Sequence, residues 1–246
     1  MVVLFMKTKN FFKNFFYILK YIFILYLVNI TVGILQYVTD IKNNDLGVFI
    51  ALISTLFIYY ILLKKEKKNL FRYVKINKIK ITSRSILLIL IFSISYFCIY
   101  TSLNNISLKT SQGTEILHAN LNILAIFHLI LLAPLIEEIL FRGIIFLKLK
   151  ESVNVYTAII VQGLIFGFLH GAVSGYIAQS LLATLSGIVF CYIYYKTDNL
   201  TFPIILHIIY NLLVLIFQTL MTNTNIVILL SIGIIGLTLS YLLYKK

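Results

Sequence analysis

The chain has 246 residues, 61% of them hydrophobic and only 12% charged, with a mean hydropathy of +0.99. A soluble domain carries about 25% charged residues, and the apolar runs here repeatedly exceed what one buried helix face needs, so a water-soluble bundle is excluded. The formal charge of +13 invites a nucleic-acid reading, which the placement of the basic residues removes.

A bilayer core of about 30 Å needs roughly 20 apolar residues of helix. In chain order such runs cover Phe15–Val38, Gly47–Leu63, Ser85–Leu103, Leu121–Leu147, Val155–His170, Gly175–Tyr195, Thr201–Leu220 and Ile226–Tyr244. Gly47–Leu63 and Val155–His170 are short for a span and call for tilt, membrane thinning or longer ends. Met1–Asn10 is not followed by a small-residue cleavage site, so the first run is an anchor rather than a cleaved signal. Cys98 and Cys191 lie inside apolar runs without CxxC spacing and read as small buried hydrophobes.

The basic residues sort by loop. Eighteen of the 21 fall on one side: the N-terminal stretch through Lys20, the dense segment Lys64–Arg84, Lys148 with Lys150, Lys196, and Lys245 with Lys246. The alternate loops hold only Lys42 and Lys109, and Arg142 is inside a run. An all-α, polytopic bundle of about eight transmembrane helices with both termini cytoplasmic satisfies the positive-inside rule in every loop. The membrane thus accounts for the charge, and no nucleic-acid partner is needed. The expected location is a cell membrane, multi-pass, with lipid as the immediate partner. With no long linker or repeat, residues 1–246 read as one domain. The segment Asn69–Arg84 mixes apolar and basic residues and is either an interfacial amphipathic helix or a plain basic loop.

Charged groups inside hydrocarbon cost roughly 2.5–3.5 kcal/mol each on insertion scales and persist where they face a cavity or a partner. Three clusters stand out. In Ala133–Gly143, Glu138 and Arg142 are four apart and can pair on one helix face. Glu137 is rotated by about 100° and is left to face a cavity. Pro134 lacks an N–H and can kink this helix. The second cluster is Phe166 with His170, and the third is His207 with Asn211 on one face, behind Pro203 in the first turn. A carboxylate, two imidazoles and a carboxamide on three spans suffice for general-base activation of water and stabilisation of an oxyanion. No Ser or Cys matches them by spacing, which disfavours a covalent nucleophile.

The order E-E-x-x-x-R, F-x-x-x-H and H-x-x-x-N, over about residues 121–220, resembles the CAAX-protease and bacteriocin-processing family, also called Abi. The resemblance implies an intramembrane endopeptidase acting on a membrane-associated peptide or protein, with roles in bacteriocin immunity or peptide maturation. It implies Glu137 as the base that activates water and His170 as the group that binds or polarises it. His207 and Asn211 would stabilise the oxyanion, with Glu138, Arg142 and Phe166 in support. The family has been described both as metalloproteases and as metal-independent glutamate peptidases. The metal-independent route is favoured here, with no cofactor; were zinc involved, Glu137, His170 and His207 would be its ligands. Two other functions compete: an ion-coupled transporter, which would call for inverted repeats not seen here, and a non-catalytic immunity or scaffold protein.

One difficulty is depth. At 1.5 Å per residue Glu137 lies about 16 Å from Lys148 and His207 about 10 Å from Leu200, but His170 lies about 22 Å from Val155, so a shared site needs tilted or kinked helices. His118 reads as solvated and His128 as a packing residue. Gly163 and Gly167, four apart, suit close helix packing.

Overall fold

The computed structural model describes residues 8–79, 82–108, 122–174, 177–221 and 225–245. His118 lies outside them, as do Lys7, Lys80, Lys109 and Lys246. Among the described residues there are nine helices and no strand. These are α1 (Thr8–Val38), α2 (Asn44–Lys65), the single turn α3 (Leu70–Tyr73), α4 (Ser83–Leu108), α5 (Ile123–Leu149), α6 (Val155–Ser174), α7 (Ile177–Thr197), α8 (Thr201–Met221) and α9 (Ile226–Lys245). Each apolar run of the sequence coincides with one of the long helices. Five are long and apolar enough to cross a membrane: Phe11–Val38, Asn44–Lys65, Ser83–Leu103, Ile123–Leu149 and Val155–Ala172. Thr201–Phe217 and Ile226–Leu242 are shorter apolar stretches. Large apolar side chains such as Phe23, Ile30, Phe168 and Ile235 point outward. In water they would be a liability; in lipid they are the solvent-facing surface. The chain is a multi-pass helical membrane protein.

Asparagines start several of these helices. The side chains of Asn43, Asn69, Asn122 and Asn154 accept from the backbone N–H groups of Leu46, Arg72, Ala125 and Thr157 at 2.8–3.1 Å, which satisfies donors that a helix start leaves free. In α2, Asp45 in the first turn and Lys64 and Lys65 in the last turn oppose the helix dipole.

The core is built round α5. Ile136, Ile139, Leu140, Ile144, Ile145 and Phe146 are buried against α1, α2, α6 and α7. The α6–α7 pair packs through glycine. A Cβ on Gly163 would fall 2.5 Å from Ile188, and one on Gly167 would fall 2.4 Å from the Ser180 carbonyl oxygen. The close packing expected of these two glycines is what the structure shows, with Gly187 on α7 completing the seam.

The basic loops meet at one end of the bundle. Tyr17 of α1 donates to Glu66 at 2.8 Å, and its ring lies under Lys20, Lys68 and Lys148. Asn14 donates to Ser152 at 2.9 Å, and Lys75 pairs with Asp198. Of the two readings of Asn69–Arg84, the interfacial helix is corrected. Of its described residues ahead of α4, only Leu70–Tyr73 form a turn of helix before the segment tucks inward, with Leu70 and Val74 buried. Burial plus main-chain bonding explains why: Tyr194 donates to the Val74 carbonyl at 3.1 Å and the Leu200 N–H to that of Lys75 at 2.9 Å. Asn199 brackets Asn77 from both its amide atoms. The segment is a clamp on the α7–α8 turn.

Candidate active site

Helix α5 is not uniformly α-helical. His128–Leu132 and Ile139–Phe146 are π-helical, and Ala133–Glu138 between them is α. Pro134 stands at the start of the α-helical stretch, directly after the first π turn, and such turns are common where helices carry function. In the π register the Ala133 N–H reaches the His128 carbonyl. The next N–H would reach Leu129, and Pro134 has none. Asn211 of α8 supplies the missing donor, its Nδ2 lying 2.9 Å from the Leu129 oxygen. A backbone defect on α5 thus anchors the site residue of α8.

The two acids separate as their spacing dictates. Glu138 is fully buried, and its Oε1 accepts from His207 Nδ1 at 2.9 Å and lies 3.0 Å from Arg142 Nη1. The Arg142 contact is an ion pair too poorly aligned for a hydrogen bond, so the guanidinium nitrogens find no hydrogen-bond partner. Aromatic faces stand in: its Cζ is 4.6 Å from the Phe166 ring centroid and 5.7 Å from that of Phe190. Glu137 points the other way, with its side chain 27% exposed, and its Oε2 lies 3.8 Å from His170 Nε2 and 3.9 Å from His207 Nε2.

The ring nitrogens are sorted by their partners. His170 Nδ1 is 2.9 Å from the Phe166 carbonyl. A carbonyl oxygen only accepts, so Nδ1 carries the proton and, in the neutral ring, Nε2 turns a lone pair towards Glu137. His207 is held the same way by the Glu138 carboxylate. Phe166 serves both neighbours, its ring 4.1 Å from that of His170 on one side and beneath Arg142 on the other. This gives a physical reason for an aromatic residue one turn before the histidine.

All four residues proposed for chemistry, Glu137, His170, His207 and Asn211, line one cavity of about 340 Å³. The depth difficulty is met: three helices entered at different distances bring their polar atoms within 4 Å, helped by the reach of the side chains and by the π-helical stretches flanking Glu137. His128 is elsewhere, buried with Nε2 3.3 Å from Asp45 Oδ1, where it ties the start of α5 to the start of α2. Sequence reasoning missed the opposite wall. Tyr96 and Tyr100 of α4, Gln179 and Ser186 of α7, and Tyr210 of α8 line the cavity too. Tyr96 bonds Ser186, and Tyr100 donates to Gln179 at 3.3 Å. The i,i+4 spacing of Tyr96 and Tyr100, and Tyr210 between His207 and Asn211, were the available signals.

A zinc ion would need these ligands closer. Tetrahedral bonds of about 2.0–2.1 Å put ligand atoms about 3.3 Å apart, whereas Glu137 Oε2 stands 3.8 and 3.9 Å from the two imidazole nitrogens. Among the described residues no group of three or more His, Cys, Asp and Glu is arranged to hold a metal. As placed, the donor set does not fit the ion.

Residues 119–213 match the sequence model described as "Type II CAAX prenyl endopeptidase Rce1-like". The match spans all three polar clusters. This segment is similar to the family of CAAX prenyl endopeptidases which that model describes. A curated Bacillus subtilis (strain 168) protein, YdiL, named as a candidate membrane peptidase, is 35% identical over 88 residues. That alignment takes in 36% of this chain and 34% of YdiL, so the matched region spans about a third of the relative's length. No solved structure matches the chain. Within the matched segment the motif residues are the ones that converge: Glu138, Arg142 and Phe166 form the buried support, and Glu137, His170, His207 and Asn211 the cavity face.

Proposed function

We propose that this protein is an intramembrane endopeptidase that hydrolyses a peptide bond of a membrane-associated peptide or protein, without a metal. The observation that carries the reading is the approach of Glu137 Oε2 to the Nε2 atoms of His170 and His207, at 3.8 and 3.9 Å, in a cavity that also holds Asn211. Gaps of this size are too long for direct hydrogen bonds and suit a bridging water.

In this reading the water donates one hydrogen to Glu137 and the other to His170 Nε2, which turns its oxygen lone pair to the substrate carbonyl. Glu137 takes the proton as the water oxygen bonds to the carbonyl carbon, and the carbonyl π pair moves onto oxygen. The second N–H of the Asn211 amide stabilises that oxyanion, with its first fixed on Leu129. His207, fixed through Nδ1 by Glu138, is the second group assigned to that oxyanion. The proton on Glu137 then passes to the departing amine as the C–N bond breaks. The carboxylate thus serves as base and then acid. Bacteriocin immunity or peptide maturation would be one use of such cleavage.

The test is cleavage of a quenched membrane-peptide library by the detergent-purified protein, comparing the parent with Glu137→Gln and His170→Ala. Loss of roughly 10²–10⁴-fold, the usual worth of a positioned acid–base group, is expected for Glu137→Gln, with full activity kept in excess chelator. Turnover that survives both substitutions would sink the assignment, and loss in chelator restored by zinc would overturn the metal-free route.

A further inference from the structure

Resting on the peptidase reading, we infer that Gln179 is a substrate-binding residue, whose side-chain amide donates to the backbone carbonyl next to the scissile one. What carries this is a carboxamide, held through its oxygen by Tyr100, on the cavity wall across from Asn211 and His207.

Carbonyls of a helical membrane segment are taken up by N–H groups of the same helix. The stretch to be cleaved must leave that helix so that water can reach its carbonyl carbon, and its carbonyls then lose their partners. An orphaned carbonyl is costly in a water-poor interior, so the cavity has to supply donors. Asn211 and His207 are assigned to the scissile oxygen. In an extended chain successive carbonyls point to opposite sides, so the neighbouring one faces the other wall.

On that wall most hydroxyl hydrogens are already spent. Ser186 donates to the Leu182 carbonyl at 2.9 Å, so the Tyr96 hydroxyl bonded to Ser186 is the donor of that pair. Tyr100 donates to Gln179 Oε1 at 3.3 Å. An amide held by its oxygen turns its nitrogen, with two N–H groups, the other way. Among the described residues that nitrogen has no partner.

Two anchors fix where Gln179 stands. The adjacent Ser180 donates to the Gly167 carbonyl at 2.9 Å, and a Cβ on Gly171 would fall 2.5 Å from that of Ser180. The start of α7 is thus seated against the stretch of α6 that carries His170. The Tyr100 ring meets Tyr210 edge to face, with centroids 5.1 Å apart, and Tyr210 sits between His207 and Asn211 on α8. Gln179 is thereby tied to two of the helices that bear the reacting groups.

The test is a cycle between protein and substrate. Starting from the library peptide that the detergent-purified parent cleaves fastest, one backbone carbonyl at a time is replaced by a methylene. Gln179→Met keeps the side-chain length without an amide N–H. It should raise KM about fivefold or more, the worth of one hydrogen bond, with kcat held, as for a contact made equally in ground and transition states. Loss of one particular carbonyl beside the cleavage point should raise KM for the parent to the same extent and add nothing in Gln179→Met. Tyr210→Phe, which removes the wall's remaining hydroxyl, should leave that pattern intact. Thermal unfolding checks the fold; where Gln179→Met unfolds, Tyr100→Phe, which only frees the amide, should weaken the same coupling. Unchanged KM, a fall in kcat alone, or losses additive with every carbonyl replacement overturn the inference and leave the peptidase reading standing. Should the parent cleave nothing, the series is built on a fluorescein-labelled Leu–Ala peptide and read by anisotropy as binding to the parent and to Gln179→Met. Coupling found there refutes the peptidase reading alone, and its absence refutes both.

Discussion

Arg142 and Glu138 are both completely buried, 3.0 Å apart, in the layer under the site. Arg142→Met keeps most of the side-chain volume and its contact with Phe166 and Phe190, but strands the Glu138 carboxylate. Breaking a buried pair by removing one partner costs about 3–5 kcal/mol, because the remaining charge stays desolvated. Glu138→Gln alone should cost a similar amount, since it strands the guanidinium, whose nitrogens have no hydrogen bonds to fall back on, and weakens the 2.9 Å bond to His207. The double substitution removes both charges together and leaves a thioether and a carboxamide in an apolar layer where neutral groups cost far less than a lone charge. The double variant should therefore be more stable than either single one, with a coupling of about 2 kcal/mol or more. The assay is thermal unfolding of the four purified proteins in one detergent, as a double-mutant cycle. Additive losses, with the double variant least stable, would refute this expectation, because they would mean that the residues contribute through packing and not through each other's charge.

Three further outcomes follow from particular contacts. Gly167→Ala would press a Cβ to 2.4 Å from the Ser180 carbonyl oxygen and 2.8 Å from the Thr184 nitrogen, both backbone atoms that cannot rotate away. It should cost about 1–3 kcal/mol and lower activity by moving Phe166 and His170, whereas Gly33→Ala, with nothing within 4 Å, should leave melting and turnover unchanged. Asn211→Ala should cost about 1 kcal/mol by orphaning the Leu129 carbonyl. That loss should shrink when Pro134→Ala returns a backbone donor to the same oxygen, which the same unfolding assay would detect. At the basic end of the bundle burial pushes the Glu66 carboxyl up, but hydrogen bonds from Lys68 and Tyr17 and the nearby lysine charges outweigh it and hold it below the usual carboxylate range. Its contribution to stability is therefore complete above its ordinary value of 4.5 and lost as pH falls through the depressed native value. Because the group is partly exposed the effect should stay under about 1 kcal/mol, and Glu66→Gln should flatten the melting-temperature profile below the ordinary carboxylate value of 4.5.

The helices were legible in the sequence because lipid imposes a local rule: every backbone group must be satisfied within its own segment, so a long apolar run can only be helix. The basic residues likewise declared a side, and the i,i+4 spacing of Glu138 and Arg142, and the offset of Glu137, declared which acid would be paired and which free. Other features depend on what arrives from distant chain. Asn69–Arg84 has the composition of an interfacial helix, yet the unsatisfied backbone at the α7–α8 turn and a buried slot for Val74 draw it into a clamp. His170 looked too deep until α6 was packed against α7 through glycine and α5 changed its helical register around Glu137. The tyrosine wall and the hydrogen bond from Asn211 to Leu129 carry no local signature, because the cavity forms only where α4, α5, α6, α7 and α8 meet. Composition and spacing therefore determined that this chain is a membrane helix bundle with acids and imidazoles in its interior. Tertiary packing alone decided which of those groups touch, because side chains on separate helices are brought together by contacts no single helix contains.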